Sequence, residues 1–216
     1  MNVLVAQYLR QASLIFWDFD GVIKESVNVK TLAYERLFLP YGIEIASRVR
    51  HHHLDNGGVS RFDKIPLYLE WSGETPNSEK IELLCNKFSQ KVVQAVIDSP
   101  WVPGIRDYLL KHYVDQQFVL VSATPEDEIK QILESLGLSH CFQQIFGSPT
   151  KKDHAIEVML KRLSCLPHDA LTIGDSESDL LAAQANGVPF LLRRTSLNFR
   201  LQATYQGPMF DDLNDE

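Results

Sequence analysis

Leu14-Ile15-Phe16-Trp17-Asp18-Phe19-Asp20-Gly21-Val22-Ile23 joins an apolar run of strand character to two carboxylates, two residues apart, and then a glycine. A buried strand rarely ends in paired acids for packing reasons, because desolvating an uncompensated carboxylate is costly. The pairing points instead to a metal ion, a phosphate or both at the tip of the strand. Gly21 lets the backbone turn sharply there.

Outward from this stretch, apolar and β-branched runs at 13–18, 117–122, 142–146, 170–174 and 188–192 alternate with helical patterns at 104–113, 126–137, 152–164 and 177–186. The alternation predicts an α/β fold, a parallel sheet covered by helices on both faces. The unbroken apolar run Phe118-Val119-Leu120-Val121 suits a strand buried on both sides. Between residues 27 and 98 the pattern is helical only, with helices expected at 28–40, 61–72 and 78–97. Turn-rich Asp55-Asn56-Gly57-Gly58 separates the first two, and Pro100 and Pro103-Gly104 mark the return to alternation. A small helical domain over 27–98 is therefore expected, inserted into a core made of 1–26 and 99–216.

Open parallel sheets deliver their functional groups at the carboxyl ends of the strands. That rule gathers Asp18 and Asp20 from the first strand and Ser122, Ala123 and Thr124 from the second. It adds Lys151 and Lys152 ahead of a helix, and Asp175 and Asp179 after the fourth strand. Four carboxylates, a hydroxyl and an ammonium suit Mg²⁺, which takes a few protein oxygens and keeps water for itself and a substrate phosphate. Asp18 and Asp175 are the expected side-chain ligands, with Asp179 in the same acidic group and the Asp20 carbonyl as a further oxygen. Lys152 would hold Asp18 and the phosphate together, while Ser122 and the amides of Ala123 and Thr124 bind phosphate oxygens. The Asp20 carboxyl would protonate the leaving alcohol and later deprotonate the attacking water. Its ordinary pKa of ~3.9 is too low for that task, so carboxylate crowding is expected to raise it.

Composition narrows the partners. The 216 residues are 44% hydrophobic and carry a formal net charge of −7. No basic run is longer than the pairs Lys151-Lys152 and Arg193-Arg194. Nucleic acid is therefore not an expected partner, whereas a small anionic ester needs only a local positive site. Three widely spaced cysteines, Cys85, Cys141 and Cys165, fit neither a zinc site nor a disulfide framework. The start lacks a basic region followed by a long apolar stretch, and nothing approaches the roughly 18 apolar residues of a membrane span. A cytoplasmic protein is expected. His51, His52 and His53 are expected on solvated surface, as is the Arg193-Arg194 pair. Trp17, Trp71 and Trp101 are expected to pack in the core or at a hinge.

In this order, the residues resemble the haloacid dehalogenase-like hydrolase superfamily. Asp18-Phe19-Asp20-Gly21 is similar to its D-x-D-G motif, Ser122 to its second, Lys152 (or Lys151) to its lysine, and Gly174-Asp175-Ser176-Glu177-Ser178-Asp179 to G-D-x-x-x-D. The resemblance implies a Rossmann-like core with a helical cap between the first and second motifs, Mg²⁺ dependence, and an aspartyl-phosphate on Asp18. An aspartate two residues after the nucleophile marks the phosphatases and phosphomutases of that superfamily.

Gly57-Gly58-Val59-Ser60-Arg61 resembles the G-V-S-R cap loop of β-phosphoglucomutases. That likeness implies that Arg61, with Ser60 and the amides of Gly57 and Gly58, contacts a second anionic group of the substrate. From the residues alone, Arg61 equally suits a helix cap or a pair with Asp63 or Glu70. Lys30 stands where the mutases have a histidine, and Lys24-Glu25 replaces their commoner Thr-Asp. A phosphatase for a small phosphorylated metabolite, such as a sugar phosphate, is the leading expectation. A sugar-phosphate mutase and a catalytically silent binding protein are the alternatives.

Overall fold

The computed structural model describes residues 3–214; residues 1–2 and 215–216, the outer ends of the expected core, lie outside them. Helix α1 (Val3–Gln11) leads into β1 (Leu14–Trp17), and four helices follow: α2 (Val27–Phe38), α3 (Ile43–Asp55), α4 (Arg61–Trp71) and α5 (Ser78–Asp98). Helix α6 (Ile105–His112), β2 (Gln117–Pro125), α7 (Glu126–Ser135), β3 (Gln144–Ser148), α8 (Lys152–Leu163) and β4 (Ala170–Gly174) resume the alternation. Helix α9 (Glu177–Ala185), β5 (Phe190–Arg193), α10 (Phe199–Thr204) and β6 (Met209–Phe210) complete it.

The strands form one sheet in the order β3-β2-β1-β4-β5-β6, every pairing parallel. Successive side chains of a strand point to opposite faces, and β1 uses both. Ile15 and Trp17 join the larger core with Phe118, Leu120, Leu171 and Ile173. Leu14 and Phe16 join Val119, Val121, Ile156 and Met159 beneath α8. Trp17 is wholly buried, its ring edge-on to Phe118 at 5.7 Å between centroids, as expected of a packing residue. This is the Rossmann-like core with a helical cap.

The cap encloses its own aromatic centre, with Tyr34 4.1 Å from Phe88 and Phe38 5.4 Å from Tyr68 between centroids. Its exit and return run side by side. Glu25 donates its N–H to Pro100 O, Val102 donates to Ile23 O, and the buried Lys24 ammonium donates to Ile97 O while lying 4.2 Å from the Trp101 ring centroid. Lys24, out of pattern in the sequence, thus fastens the hinge.

Four elements escape the sequence reading: α1, α3, α10 and β6. Helix α3 hid because its buried stripe is Ala46, Val49 and His53, a histidine completing an apolar period. The expected solvated histidines are corrected accordingly: His51 is exposed and His53 is buried. Arg193 is also buried, bound to the Glu25 carboxylate and to Gly21 O at 3.1 Å, so only Arg194 of that pair is solvated. Charge alone did not reveal that β5 ends directly beneath the turn after β1.

The cap is tied to the core by an ion pair. Arg61 Nη2 lies 2.6 Å from Glu128 Oε1 and Nη1 lies 2.8 Å from Oε2, while Ser89 Oγ donates to the same carboxylate. Both charged side chains are under 10% exposed (3% and 8%). Breaking a buried pair by removing one partner strands the other charge, typically at 3–5 kcal/mol. Glu128→Ala is therefore expected to destabilise the protein by about that amount in urea denaturation, and a loss below ~1 kcal/mol would contradict the assignment.

Candidate active site

Asp18 is the first residue past β1, held there by its N–H donating to Ile173 O of β4 at 2.9 Å. Gly21 follows with φ +74°, a conformation favouring glycine, and a Cβ there would collide with the Asp175 carboxylate. At the end of β4, a Cβ on Gly174 would overlap the Asp179 side chain. Gly21 thus lets the two acid-bearing turns close on each other, and Gly174 lets Asp179 fold back over its own turn. Lys152, the first residue of α8, reaches both: its Nζ lies 3.0 Å from Asp18 Oδ1 and 2.5 Å from Asp179 Oδ1. Lys151 is exposed at the preceding position. The second Asp179 oxygen accepts from Ser176 N–H and Ser176 Oγ, closing a capping box at the start of α9.

Carboxylate oxygens of Asp18, Asp175 and Asp179 lie within 4.8 Å of one another, and all three residues are buried. One ammonium faces three carboxylates, so negative charge is in excess where water cannot screen it. Burial first, then Asp179, pushes the Asp18 carboxyl up to about 7, with Lys152 opposing. Burial, then Asp18 and Asp179, drives Asp175 well above the usual carboxylate range. Burial alone would lower the Lys152 ammonium, but Asp179 and Asp18 reverse this and hold it above its ordinary value. The donor set is all hard oxygen and under-compensated, which fits Mg²⁺.

The Asp20 side chain stands outside this cluster. Its Oδ1 accepts from Ser26 Oγ at 2.6 Å, and its Oδ2 from Lys30 Nζ at 2.5 Å and Thr124 Oγ1 at 3.3 Å. The expectation that crowding raises Asp20 is corrected. Burial does push it up, but the Lys30 ammonium and its hydrogen bond outweigh burial and hold the carboxyl below its ordinary value. Crowding falls on Asp18 and Asp175 instead. Lys30 is the residue at the mutase histidine position, and its own charge concealed its burial.

A cavity of about 680 Å³ lies over these groups. Asp18, Asp20, Lys152, Asp175, Ala123 and Thr124 line its core side, and Gly57, Gly58, Val59, Arg61 and Lys64 its cap side. Ser122 is buried beside it, its hydroxyl accepting from Thr124 N–H at 3.1 Å. Ser60 caps α4 and meets Ser148 Oγ at 2.6 Å, crossing from cap to core. Gly58 leaves no room for a Cβ against Ser176 and Ser178. The cap loop therefore rests directly on the acidic turn.

Arg61 is the largest departure from expectation. Its guanidinium is already bound by Glu128, so neither Asp63 nor Glu70 is its partner, and it is not free for a second anion in this arrangement. Glu128 had a faint signal, since it shares the buried face of α7 with Ile129, Ile132 and Leu133. Lys64 had none.

A family model described as haloacid dehalogenase-like hydrolase matches residues 15–192. Phosphoglycolate phosphatase 1 of Pseudomonas aeruginosa is 25% identical over 187 residues, covering 83% of this chain and 68% of that protein. A phosphoglycolate phosphatase of Pasteurella multocida is 23% identical, covering 95% of this chain and 96% of that one. Among solved structures, CbbY from Rhodobacter sphaeroides in complex with xylulose-(1,5)bisphosphate superposes with TM-score 0.75 at 15% identity, covering 93% and 94% of the two chains. β-Phosphoglucomutase from Clostridium difficile gives 0.72 at 20% identity, covering 93% and 91%. The structural likenesses, at these identities, show a shared fold. The family match spans most of the chain and takes in every acidic turn, the serine strand and the lysine described above: this chain belongs to the haloacid dehalogenase-like hydrolase family.

Proposed function

We propose that this protein is a Mg²⁺-dependent phosphatase that hydrolyses a small phosphorylated metabolite through an aspartyl-phosphate on Asp18. The supporting observation is the under-compensated triad of buried carboxylates, Asp18, Asp175 and Asp179, on one lysine, with Asp18, Asp175 and Lys152 lining the cavity. In this reading residues 27–98 act as the cap domain, with 1–26 and 99–216 as the catalytic core.

Asp18 and Asp175, with Asp179 beside them and the Asp20 carbonyl, would hold Mg²⁺, which supplies the positive charge that lets a phosphate dianion approach a carboxylate. Lys152 orients Asp18 and contributes further positive charge. The Ser122 hydroxyl, the Ala123 amide and the Thr124 hydroxyl receive the phosphoryl oxygens. An Asp18 oxygen attacks phosphorus, and the bond to the alcohol oxygen breaks. The departing oxygen takes a proton delivered through Asp20 from the Lys30 ammonium, which lies 2.5 Å from its Oδ2. Water then attacks the aspartyl-phosphate, gives its proton to Asp20, and frees inorganic phosphate and the Asp18 carboxylate. The cap covers the site and excludes bulk water during these steps.

The test is phosphate release from a panel of sugar phosphates, phosphoglycolate and nucleotides. Wild-type protein is expected to release inorganic phosphate only with Mg²⁺, and rapid acid quench is expected to trap a protein heavier by one phosphoryl group. Asp18→Asn is expected to lose activity on the order of 10⁴-fold or more while remaining folded. Retained activity in that variant, or interconversion of sugar phosphates without phosphate release, would overturn the reading.

A second prediction concerns pH. Asp18 and Asp175 are protonated more readily in the folded than in the unfolded chain, so in EDTA they cost stability as pH climbs from their ordinary value toward 7 and beyond. Asp175→Asn is expected to raise the thermal midpoint in EDTA more at pH 8 than at pH 5, and to remove most of the stabilisation by Mg²⁺ at pH 8. Equal midpoints for variant and wild type at pH 8 would contradict it.

A further inference from the structure

The turn after β1 and the turn after β4 press against each other, since a Cβ on Gly21 would lie 2.0 Å from Asp175 Oδ2. Their charges oppose that contact, because carboxylates outnumber the one ammonium between them. Strand pairing does not reach far enough to hold them. The β1–β4 ladder ends at Trp17 and Ile173, with one further bond from Asp18 N–H to Ile173 O, and both Gly21 and Asp175 lie past it.

The end of β5 supplies the missing connection. Arg193, the last residue of that strand, is buried. Its Nη1 donates to Gly21 O at 3.1 Å and to Glu25 Oε2 at 3.0 Å, its Nη2 to Glu25 Oε1, and its Nε to Asp211 O at 3.0 Å. Asn198, in the loop that follows, donates from Nδ2 to Asp175 O at 2.7 Å and to Arg193 O at 2.9 Å. The Asn198 Oδ1 accepts from Thr195 N–H at 2.9 Å and from Gln202 Nε2 at 2.6 Å. Both ends of the amide are thus engaged, which fixes its orientation. An unbroken run of hydrogen bonds leads from Gly21 O through Arg193 and Asn198 to Asp175 O.

We propose that Arg193 and Asn198 are positioning residues for Mg²⁺. They clamp the main chain of the two acid-bearing turns, so that the Asp18 and Asp175 carboxylates stand at ligand spacing before the ion arrives. The inference rests on the metal site of the phosphatase reading. Both side chains act through carbonyls of the turns, Gly21 O and Asp175 O, and not through the carboxylates. Without the clamp, repulsion between like charges parts the turns, and the ion must draw them together again at the expense of affinity. Groups that orient metal ligands from outside in this way typically carry roughly 10- to 100-fold in affinity.

The test is Mg²⁺ binding to the intact protein without substrate, read as a calorimetric Kd and as the rise in thermal midpoint over EDTA. Asn198→Asp keeps the acceptor for Thr195 and Gln202 but removes both donors, and Arg193→Met removes the bond to Gly21 O. Each substitution makes the neighbourhood more negative, so charge attraction alone would tighten Mg²⁺ binding. The clamp gives the opposite sign: both variants are expected to bind Mg²⁺ roughly 10- to 100-fold more weakly than wild type. In turnover, the Mg²⁺ concentration for half-maximal rate should rise by a similar factor, while kcat at saturating Mg²⁺ returns toward the wild-type value. A merely structural role would lower kcat at every Mg²⁺ concentration instead. Unchanged or tighter Mg²⁺ binding in either folded variant overturns the inference; Asn198→Ala, which removes the donors without adding charge, gives the same reading should neither fold. If Mg²⁺ does not shift the wild-type midpoint, the metal site itself fails, and this inference with it. Weaker Mg²⁺ binding in the variants, with no ester hydrolysed by wild type, would sink the phosphatase reading and leave the clamp standing.

Discussion

Three carboxylates that cannot all be comfortable together govern this molecule. Asp18, Asp175 and Asp179 sit within contact range of one another, away from water, with a single ammonium between them. Nothing in packing favours such a group, and the surrounding architecture exists to hold it. Parallel pairing of β1 with β4 brings the two acid-bearing strand ends level. Gly21 removes the side chain that would keep the two turns apart, and Gly174 makes room for Asp179 within its own. The Ser176–Asp179 capping box fixes which Asp179 oxygen faces Lys152.

The cap does more than cover this site. Lys30 comes from α2, yet it holds down the carboxyl of Asp20, two residues after Asp18 at the sheet edge. Any motion that carries α2 away from the sheet edge removes the ammonium from Asp20 and lets burial raise its carboxyl. The position of α2 and the charge state of Asp20 are thus coupled. Arg61–Glu128, Ser60–Ser148 and the seating of Gly58 on the acidic turn define the position in which the ammonium is present.

Much of this was legible in the sequence, and the failures share one physical cause. Strands with continuous apolar runs and turns carrying acids announce themselves locally, so the sheet, the helical insertion and the residues at the strand ends could be placed from pattern alone. What pattern cannot show is where a charge finds its partner. Arg61 and Glu128, Lys30 and Asp20, and Arg193 and Glu25 all read as ordinary polar residues until the fold brings each pair together. His53 completes the buried stripe of α3 in a place where a hydropathy pattern expects an aliphatic side chain. Asp20 shifts downward rather than upward for the same reason, since its cation arrives from another helix.

Strand β1 lies in the middle of the sheet, but only β2 reaches it early; β4 on its other side belongs to the last third of the chain. As the polypeptide leaves the ribosome, Asp18 therefore emerges long before Lys152 or Asp175 can exist. Long-range pairing of this kind is slow to form because loop closure must precede it. The acidic site is completed in one late step, and a prematurely terminated fragment carries Asp18 without the groups that surround it in the folded chain.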